Sequence, residues 1–234
     1  MGALTLGLLS LPAEGVAGPV KGRVTGFLEL LNPVWEEAKA PDAHGYTFRE
    51  PSPTVQAERR KLYPHVPREL CVAILAATAQ PKMPTQVVRL GGGRTTPVTL
   101  VVTPGTELHF KNTDPFPHRL YGVNVKSFNA ADTQKGGDRI WSVPGPGVYE
   151  IRDELVPSVR MWVVSEPNVV AFGFPSLSGA FEVEVPVAGS FEVQPFFTGK
   201  KIGNAVPLAL SATSQTVDLS RTPISVAPKA EVAK

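Results

Sequence analysis

The chain has 234 residues, of which 42% are hydrophobic and 19% charged, and its net charge is +2. This composition is typical of a packed globular protein and excludes wholesale disorder. No long basic run is present, which excludes an electrostatic nucleic-acid surface. Frequent turns are predicted by the 21 glycines and 24 prolines, and a single cysteine, Cys71, excludes an intrachain disulfide.

The first residues are typical of a secretory signal. Residues 3–11 form a short apolar run, and Pro12 and small residues up to Gly18 follow it,. The run is too short to anchor the chain in a bilayer. No basic residue precedes it, so two alternatives stay open: a buried strand, or a start that lies upstream. We expect residues 1–18 to be a signal peptide, a periplasmic or secreted location, and no transmembrane anchor.

Residues 19–67 are predicted to hold one strand and a long loop. Residues 20–27 alternate between polar and apolar and are bounded by glycines, as a strand would be,. Prolines then interrupt the chain repeatedly up to residue 67, with room for one short helix at 55–62. Trp35, Tyr46 and Phe48 are candidate anchors of this loop and candidate partner-binding residues.

From residue 70 onward, short strands with turns between them predict an all-β fold. One continuous apolar run, at residues 70–75, has the length of a buried strand, and Cys71 lies in it as an inert core residue. Later strands are predicted at 98–102, 107–112, 119–125, 139–143, 147–152, 160–164, 169–174, 180–185, 190–197 and 216–219. Residues 222–234 are predicted to be a flexible tail. This spacing is typical of a sandwich or barrel.

Two stretches resemble known families. Residues 101–118, with a Pro-Gly-Thr turn, Asn112-Thr113-Asp114 and His118, resemble the plastocyanin-like (cupredoxin) domain of the methylamine-utilisation-protein-like type, and 143–151 match its glycine turn. Residues 178–191 resemble the carboxypeptidase-regulatory (transthyretin-like) unit. The resemblance implies a cupredoxin-like Greek-key β-sandwich over 68–166 and a smaller transthyretin-like β-sandwich over 167–221. Alternatively, residues 20–27 and 70–75 add strands to the second unit and entwine the two.

The resemblance also implies a copper site, and the sequence departs from it. His118 stands where the family has its first histidine ligand, but Asp153, Val156 and Val159 stand where it has cysteine, histidine and methionine. A type 1 copper site needs a thiolate and two imidazoles. Met161 is two residues beyond the methionine position. We therefore expect no blue-copper centre and no electron transfer.

His118 keeps two interpretations. It either hydrogen-bonds a backbone carbonyl in a tight loop, or it forms with Asp153 a remnant copper or zinc site completed by His65 or His44. Imidazole and carboxylate donors suit both ions.

Other polar groups are assigned structural roles. Arg152, Asp153, Glu154 and Arg160 are predicted to form a solvated ion-pair cluster, and His109 to face away from the core. Residues 91–93, all glycine, are predicted to form a flexible hairpin, because no strand-to-helix context supports phosphate binding. One ring of the adjacent Phe196 and Phe197 could be exposed as a contact surface.

The leading hypothesis is a non-catalytic extracytoplasmic binding or structural protein without a cofactor, whose partner is a protein or a cell-envelope polymer. The competing hypothesis is a periplasmic copper- or zinc-handling protein. No arrangement of residues in the sequence predicts an enzyme.

Overall fold

The structure, a computed structural model, describes residues 18–30, 65–212 and 216–227. In these ranges the chain is almost entirely β, with one short α-helix, α1 (Val66–Glu69), and one 3-10 turn (Phe27–Glu29). The strands are β1 (Pro19–Thr25), β2 (Leu70–Ala76), β3 (Gln86–Leu90), β4 (Thr95–Thr96), β5 (Thr99–Val102), β6 (Glu107–Asn112), β7 (His118–Gly122), β8 (Ala131–Thr133), β9 (Asp138–Ser142), β10 (Gly147–Asp153), β11 (Arg160–Ser165), β12 (Val169–Gly173), β13 (Ala180–Glu184), β14 (Gly189–Phe197), β15 (Lys200–Lys201), β16 (Val206–Leu210), β17 (Val217–Asp218) and β18 (Ile224–Ser225). The all-β prediction is confirmed.

Strands β3–β11 form one two-sheet unit, the central sandwich. One sheet has the order β4-β3-β6-β9 and the other β5-β11-β10-β7-β8. Most pairs are antiparallel, but β3 runs parallel to β6 and β5 runs parallel to β11. In β6, Leu108 and Phe110 are fully buried between the sheets, whereas His109 is only partly buried on the other face. The alternation in the sequence therefore predicts the orientation of this strand correctly.

The remaining strands form a second unit, the flanking sandwich, from both ends of the described chain. Its sheets have the orders β13-β1-β17, with β18 also on β1, and β12-β2-β14-β15, with β16 also on β14. Strands β1 and β2 therefore add to the later block, as the entwined alternative predicts. The predicted boundaries between 19–67, 68–166 and 167–221 do not follow this pairing, because β1 from the first range and β2 from the second both pair with strands of the third.

Strand β2 shows why its sequence is continuously apolar. Alternate side chains, among them Val72 and Ile74, enter the core of the flanking sandwich. The intervening ones, Cys71, Ala73 and Leu75, pack with Val101 of the central sandwich. A strand covered on both faces needs apolar residues at every position.

The same contact layer buries Cys71 and the aromatic pair of β14. Burial raises the pKa of the Cys71 thiol to about 12, so it is an inert core residue, as predicted,. Phe196 packs in the layer between the sandwiches and Phe197 packs in the core of the flanking sandwich. The proposed exposed ring is therefore wrong: the two rings face opposite sides of the sheet, but both sides are covered.

The predicted tail begins too early. Ile224–Ser225 is a strand that pairs in parallel with the end of β1, and Ile224 is buried in the core of the flanking sandwich. The predicted signal peptide, apart from Gly18, and most of the long proline-rich loop lie outside the described residues.

Candidate functional site

His118 lies at one end of the central sandwich, at the first position of β7. The β6–β7 loop leads into it, and β7 pairs with β10, which ends at Asp153. The register places Asp153 opposite Leu120. This pairing brings residues 118 and 153, far apart in the chain, to the same end of one sheet.

Both ring nitrogens of His118 contact carboxylates. Nδ1 lies 2.8 Å from Asp153 Oδ2, and Nε2 lies 3.1 Å from Asp114 Oδ2. The imidazole is fully buried. The predicted hydrogen bond to a backbone carbonyl is therefore wrong, and the partners are two acidic side chains.

Asp153 is held on all sides by donors. Its Oδ1 accepts the backbone N–H groups of Leu155 and Val156 at 2.7 and 2.9 Å. Its Oδ2 accepts the N–H of Arg119 at 3.2 Å in addition to His118. Its side chain is fully buried. The carboxylate therefore fixes the backbone conformation at the start of the β10–β11 loop.

The predicted solvated cluster is corrected by this burial. Asp153 is not part of it, and Glu150 pairs with Arg152 and Arg160, at 2.8 and 2.5 Å. Glu154 stays exposed and lies 3.7 Å from Arg119. The two adjacent acids diverge because successive side chains of an extended chain point in opposite directions.

Asp114, absent from the predicted site, is the third member of the cluster. Its Oδ1 and Oδ2 accept the backbone N–H groups of Gly92 and Gly93 at 2.6 and 2.9 Å. Burial raises the pKa of the Asp114 carboxyl, but the N–H groups of Gly93 and Gly92, together with His118, outweigh that effect and lower it below its ordinary value,. The signals in the sequence are the Asn112-Thr113-Asp114 motif and the spacing Asp114-x-x-x-His118.

The glycine hairpin between β3 and β4 explains where those two donors come from. Gly92 and Gly93 both have positive φ, +62° and +66°, which glycine adopts at no steric cost,. Gly91 N–H donates to the Arg94 carbonyl and closes the turn. Successive N–H groups in this geometry form an anion-binding concavity, and the Asp114 carboxylate fills it. The hairpin is confirmed, with its tip tied to the cluster.

Asn112 fixes the loop that carries Asp114. Its side-chain N–H groups donate to the carbonyls of Phe116 and Thr133, and its Oδ1 accepts the N–H of Asp114. The residue is fully buried. The Asn-x-Asp spacing of the sequence is therefore a loop-forming device, in which the asparagine positions the aspartate.

A type 1 copper site does not fit these residues. His118, which stands at the histidine position that the resemblance implies, has each ring nitrogen within hydrogen-bond distance of a carboxylate, and Asp153 stands at the implied thiolate position. Val159 and Met161 are buried in the hydrophobic core of the central sandwich. Cys71 is fixed in the layer between the sandwiches. Within the described ranges, no group of three or more His, Cys, Asp or Glu side chains could hold a metal ion.

The structure brings together only part of the predicted remnant metal site. His118 and Asp153 are in contact, but His65 is exposed just before α1, and no hydrogen bond among the described residues joins its side chain to either of them. The other predicted ligand, His44, and the candidate partner residues Trp35, Tyr46 and Phe48 lie outside the described part of the chain.

A cavity of about 820 Å³ opens beside the cluster. Its walls are the end of α1, the glycine hairpin, the β6–β7 loop and the β10–β11 loop. It is lined by Arg68, Gly91, Gly92, Gly93, Arg94, Phe116, Pro117, Leu155, Val156, Pro157 and Ser158. The same loops that hold His118 therefore also shape an open site.

Comparison with known proteins finds similarity only among solved structures. No protein-family model matches the chain, and no curated protein matches it. Among solved structures, the chain is similar to a purple cupredoxin from Nitrosopumilus maritimus, with 20% identity, a TM-score of 0.32, and coverage of 35% of this chain and 99% of that one. The chain is also similar to amicyanin from Paracoccus versutus, with 16% identity, a TM-score of 0.33, and coverage of 40% of this chain and 98% of that one.

A copper-containing nitrite reductase from Thermus scotoductus is also similar over part of its length. Its identity is 20% and its TM-score 0.31, and the match covers 39% of this chain and 24% of that chain. Matches of this strength establish neither a family nor an activity for this chain. Separately, the described residues contain no helix long and apolar enough to cross a membrane.

Proposed function

We propose that this protein is a non-catalytic, extracytoplasmic binding or structural protein, built on a cupredoxin-like scaffold that has lost its type 1 copper site. The observation that carries the proposal is the state of His118: it is fully buried, and both its ring nitrogens lie within hydrogen-bond distance of carboxylate oxygens. A metal ligand needs an accessible nitrogen lone pair, and a carboxylate oxygen already lies against each of the two ring nitrogens.

The cluster has the features of a structural element. Asp114 ties the glycine hairpin to His118, and Asp153 ties His118 to the β10–β11 loop. Every carboxylate oxygen of Asp114 and Asp153 lies within hydrogen-bond distance of at least one partner, as buried charges require. One imidazole between two aspartate side chains thereby fixes several loops at one end of the sandwich.

The same burial argues against acid–base catalysis at His118. A catalytic base must come within hydrogen-bond distance of the proton that it removes from the substrate. His118 is fully buried and the Asp153 side chain is 0% exposed. A substrate therefore has no access to either group.

Location and partner are supported by features of the sequence. The apolar run and small residues at positions 1–18 favour export, and the absence of a basic run disfavours nucleic acid as a partner,. The partner that we propose is a protein or an envelope polymer. Capture of such a partner from an envelope extract by the tagged protein is the corresponding assay.

The proposal is tested by metal analysis of the purified protein and calorimetric titration with copper and zinc. We expect no stoichiometric metal after purification and no saturable binding at micromolar concentration. Glu154→Gln serves as the matched control for Asp153→Ala, because Glu154 is the adjacent but exposed acid. Binding that requires both His118 and Asp153 would contradict the proposal.

A copper- or zinc-handling protein is the second candidate, favoured by one observation. The two predicted ligands, His118 and Asp153, lie 2.8 Å apart, with Asp114 on the other side of the ring. Metal binding would require at least one carboxylate to leave the imidazole. We would then expect zinc to be retained through purification and lost in His118→Ala.

A further inference from the structure

The cavity beside the cluster has the dimensions of a ligand site. Its volume is about 820 Å³, inside the range of roughly 300–1,000 Å³ that is usual for small-molecule pockets. The Asp114–His118–Asp153 cluster ties three of its walls together, since Gly92 and Gly93, the β6–β7 loop and the β10–β11 loop all contact it. A cavity with tied walls is pre-formed, and a pre-formed site loses less entropy on binding.

One part of the lining is apolar and open to solvent. Phe116 and Leu155 are large hydrophobic residues, yet they are 40% and 45% exposed. Val156, Pro117 and Pro157 continue the same surface. The Phe116 ring lies 5.3 Å from the His118 ring, centroid to centroid, so contact with the buried histidine supports its position. This surface can take an apolar or aromatic ligand body.

The charged part of the lining is basic. Arg68, at the end of α1, and Arg94, at the base of the hairpin, line the cavity, and no acidic side chain of the described ranges does. Arginine binds carboxylates through two parallel hydrogen bonds. Charge complementarity therefore favours an anionic group next to the apolar body.

The hairpin itself does not supply a phosphate cradle. The N–H groups of Gly92 and Gly93 already donate to Asp114, and the Ser158 hydroxyl donates to the Gly93 carbonyl at 2.8 Å. Recognition of the anion is therefore assigned to Arg68, whose planar guanidinium suits a carboxylate,.

We propose that this cavity binds an organic carboxylate with an apolar or aromatic body, supplied either as a free acid or as the carboxyl terminus of a peptide. Arg68 holds the carboxylate, and Phe116 and Leu155 contact the apolar body. The inference deepens the proposed binding function and rests on it, because it assigns a ligand class to the same end of the sandwich.

The test is a titration of the full chain, followed by calorimetry and by amide chemical shifts. The probes are 2-naphthoate and its neutral counterpart 2-naphthamide, and acetyl-Ala-Phe with a free or an amidated carboxyl terminus. We expect both acids to bind and both amides to bind at least about 10-fold more weakly, as the loss of a charge-assisted hydrogen bond predicts. Shifts should map to residues 91–94, 116–117 and 155–158.

Variants separate charge from fold. Arg68→Gln should weaken binding of the acids by about 10-fold or more, whereas Arg89→Gln should leave it unchanged, because Arg89 is an exposed arginine beside a different cavity. Leu155→Ala removes an exposed apolar side chain and should weaken all probes. Tighter binding of the peptide acid than of 2-naphthoate identifies a peptide terminus as the source, and the reverse identifies a free acid.

The proposal is overturned if acid and amide bind equally, if no probe binds at millimolar concentration, or if Arg68→Gln and Arg89→Gln behave alike. A copper titration of the same samples keeps the outcomes distinct. Copper binding at His118 contradicts the proposed function, whereas loss of carboxylate selectivity without copper binding contradicts the ligand assignment alone.

Discussion

The interiors of the two sandwiches differ in the side chains that they bury. The flanking sandwich buries a hydrophobic cluster that includes Val20 in β1 and Ile224 in β18, and a buried polar side chain, Gln194 of β14, donates to backbone carbonyls. The central sandwich has an apolar core too, but one end buries Asp114, His118 and Asp153 together. Burial of charges costs desolvation energy that an apolar core does not incur.

The difference shows what the charged cluster contributes. Apolar contacts hold sheets together without direction, whereas the hydrogen bonds of Asp114 and Asp153 each fix the backbone of a particular loop,. The cluster lies next to the cavity, and the flanking core does not. We infer that the charged cluster fixes the positions of the loops around it, whereas the apolar core holds the sheets together.

Asp153→Ala should have the largest effect. It leaves His118 without its shorter ion pair and the N–H groups of Leu155 and Val156 without an acceptor. Loss of one partner of a buried pair costs about 3–5 kcal/mol of unfolding free energy. Urea denaturation measures this, with Glu154→Gln as the control, for which we expect less than about 0.5 kcal/mol. Equal effects of the two changes would refute the burial assigned to Asp153.

Ile74→Ala tests the apolar side of the comparison. Ile74 is fully buried in the flanking core, and truncation of such a residue costs about 2–5 kcal/mol,. Truncation of Ile74 removes no titratable group. The difference in unfolding free energy between Ile74→Ala and wild type should therefore be the same at every pH at which both proteins fold. A pH-dependent difference would show that the flanking core is coupled to the charged cluster.

Asp114→Asn tests the pH dependence of the cluster. The folded pKa of Asp114 lies below its ordinary value of 3.8, so the carboxylate stabilises the fold above that pH,. This contribution is lost as pH falls through the folded pKa. At neutral pH we expect Asp114→Asn to cost about 1–3 kcal/mol.

The matching measurement is urea denaturation of wild type and Asp114→Asn from neutral pH down to about pH 3. The difference between the two proteins should be constant near neutrality and shrink as the pH drops below 3.8. A difference that grows on acidification would have the wrong sign for a lowered pKa.

Arg119→Gln should have the smallest effect. Its ion pair with Asp132 is short, 2.6 Å, but both side chains are more than 40% exposed. Exposed pairs contribute about 0–1 kcal/mol, and salt screens them. Thermal denaturation at low and high salt should show little change in either protein. A loss as large as that of Asp153→Ala would mean that exposure does not separate the two kinds of ion pair.

Local sequence patterns predict most of the longer strands, but β3, β8 and β16 are not among the predicted ones. The alternation in β6 places Leu108 and Phe110 inside, and the unbroken apolar run of β2 predicts burial on both faces. Turn residues also carry a clear signal, as in the hairpin with two left-handed glycines. These features depend on neighbours in the chain, so one sequence is enough to find them.

Contacts between distant residues are less accessible to sequence reasoning. Asp114 meets Gly92 and Gly93 only because β3 and β6 pair in parallel. Likewise, β1 pairs with β13, β17 and β18, which lie near the other end of the chain. The sequence therefore identifies His118 as a candidate site residue, but it does not predict that two carboxylates contact its ring.

A copper titration followed by visible absorbance tests the central claim most directly, performed on the wild type beside Asp153→Cys/Val156→His/Val159→Met. We predict no visible band and no saturable binding for the wild type, because both ring nitrogens of His118 face carboxylates. The substituted protein, with thiolate, imidazole and thioether donors introduced at these positions, should bind copper and develop an intense visible band. Stoichiometric binding by the wild type that disappears in His118→Ala would contradict the account.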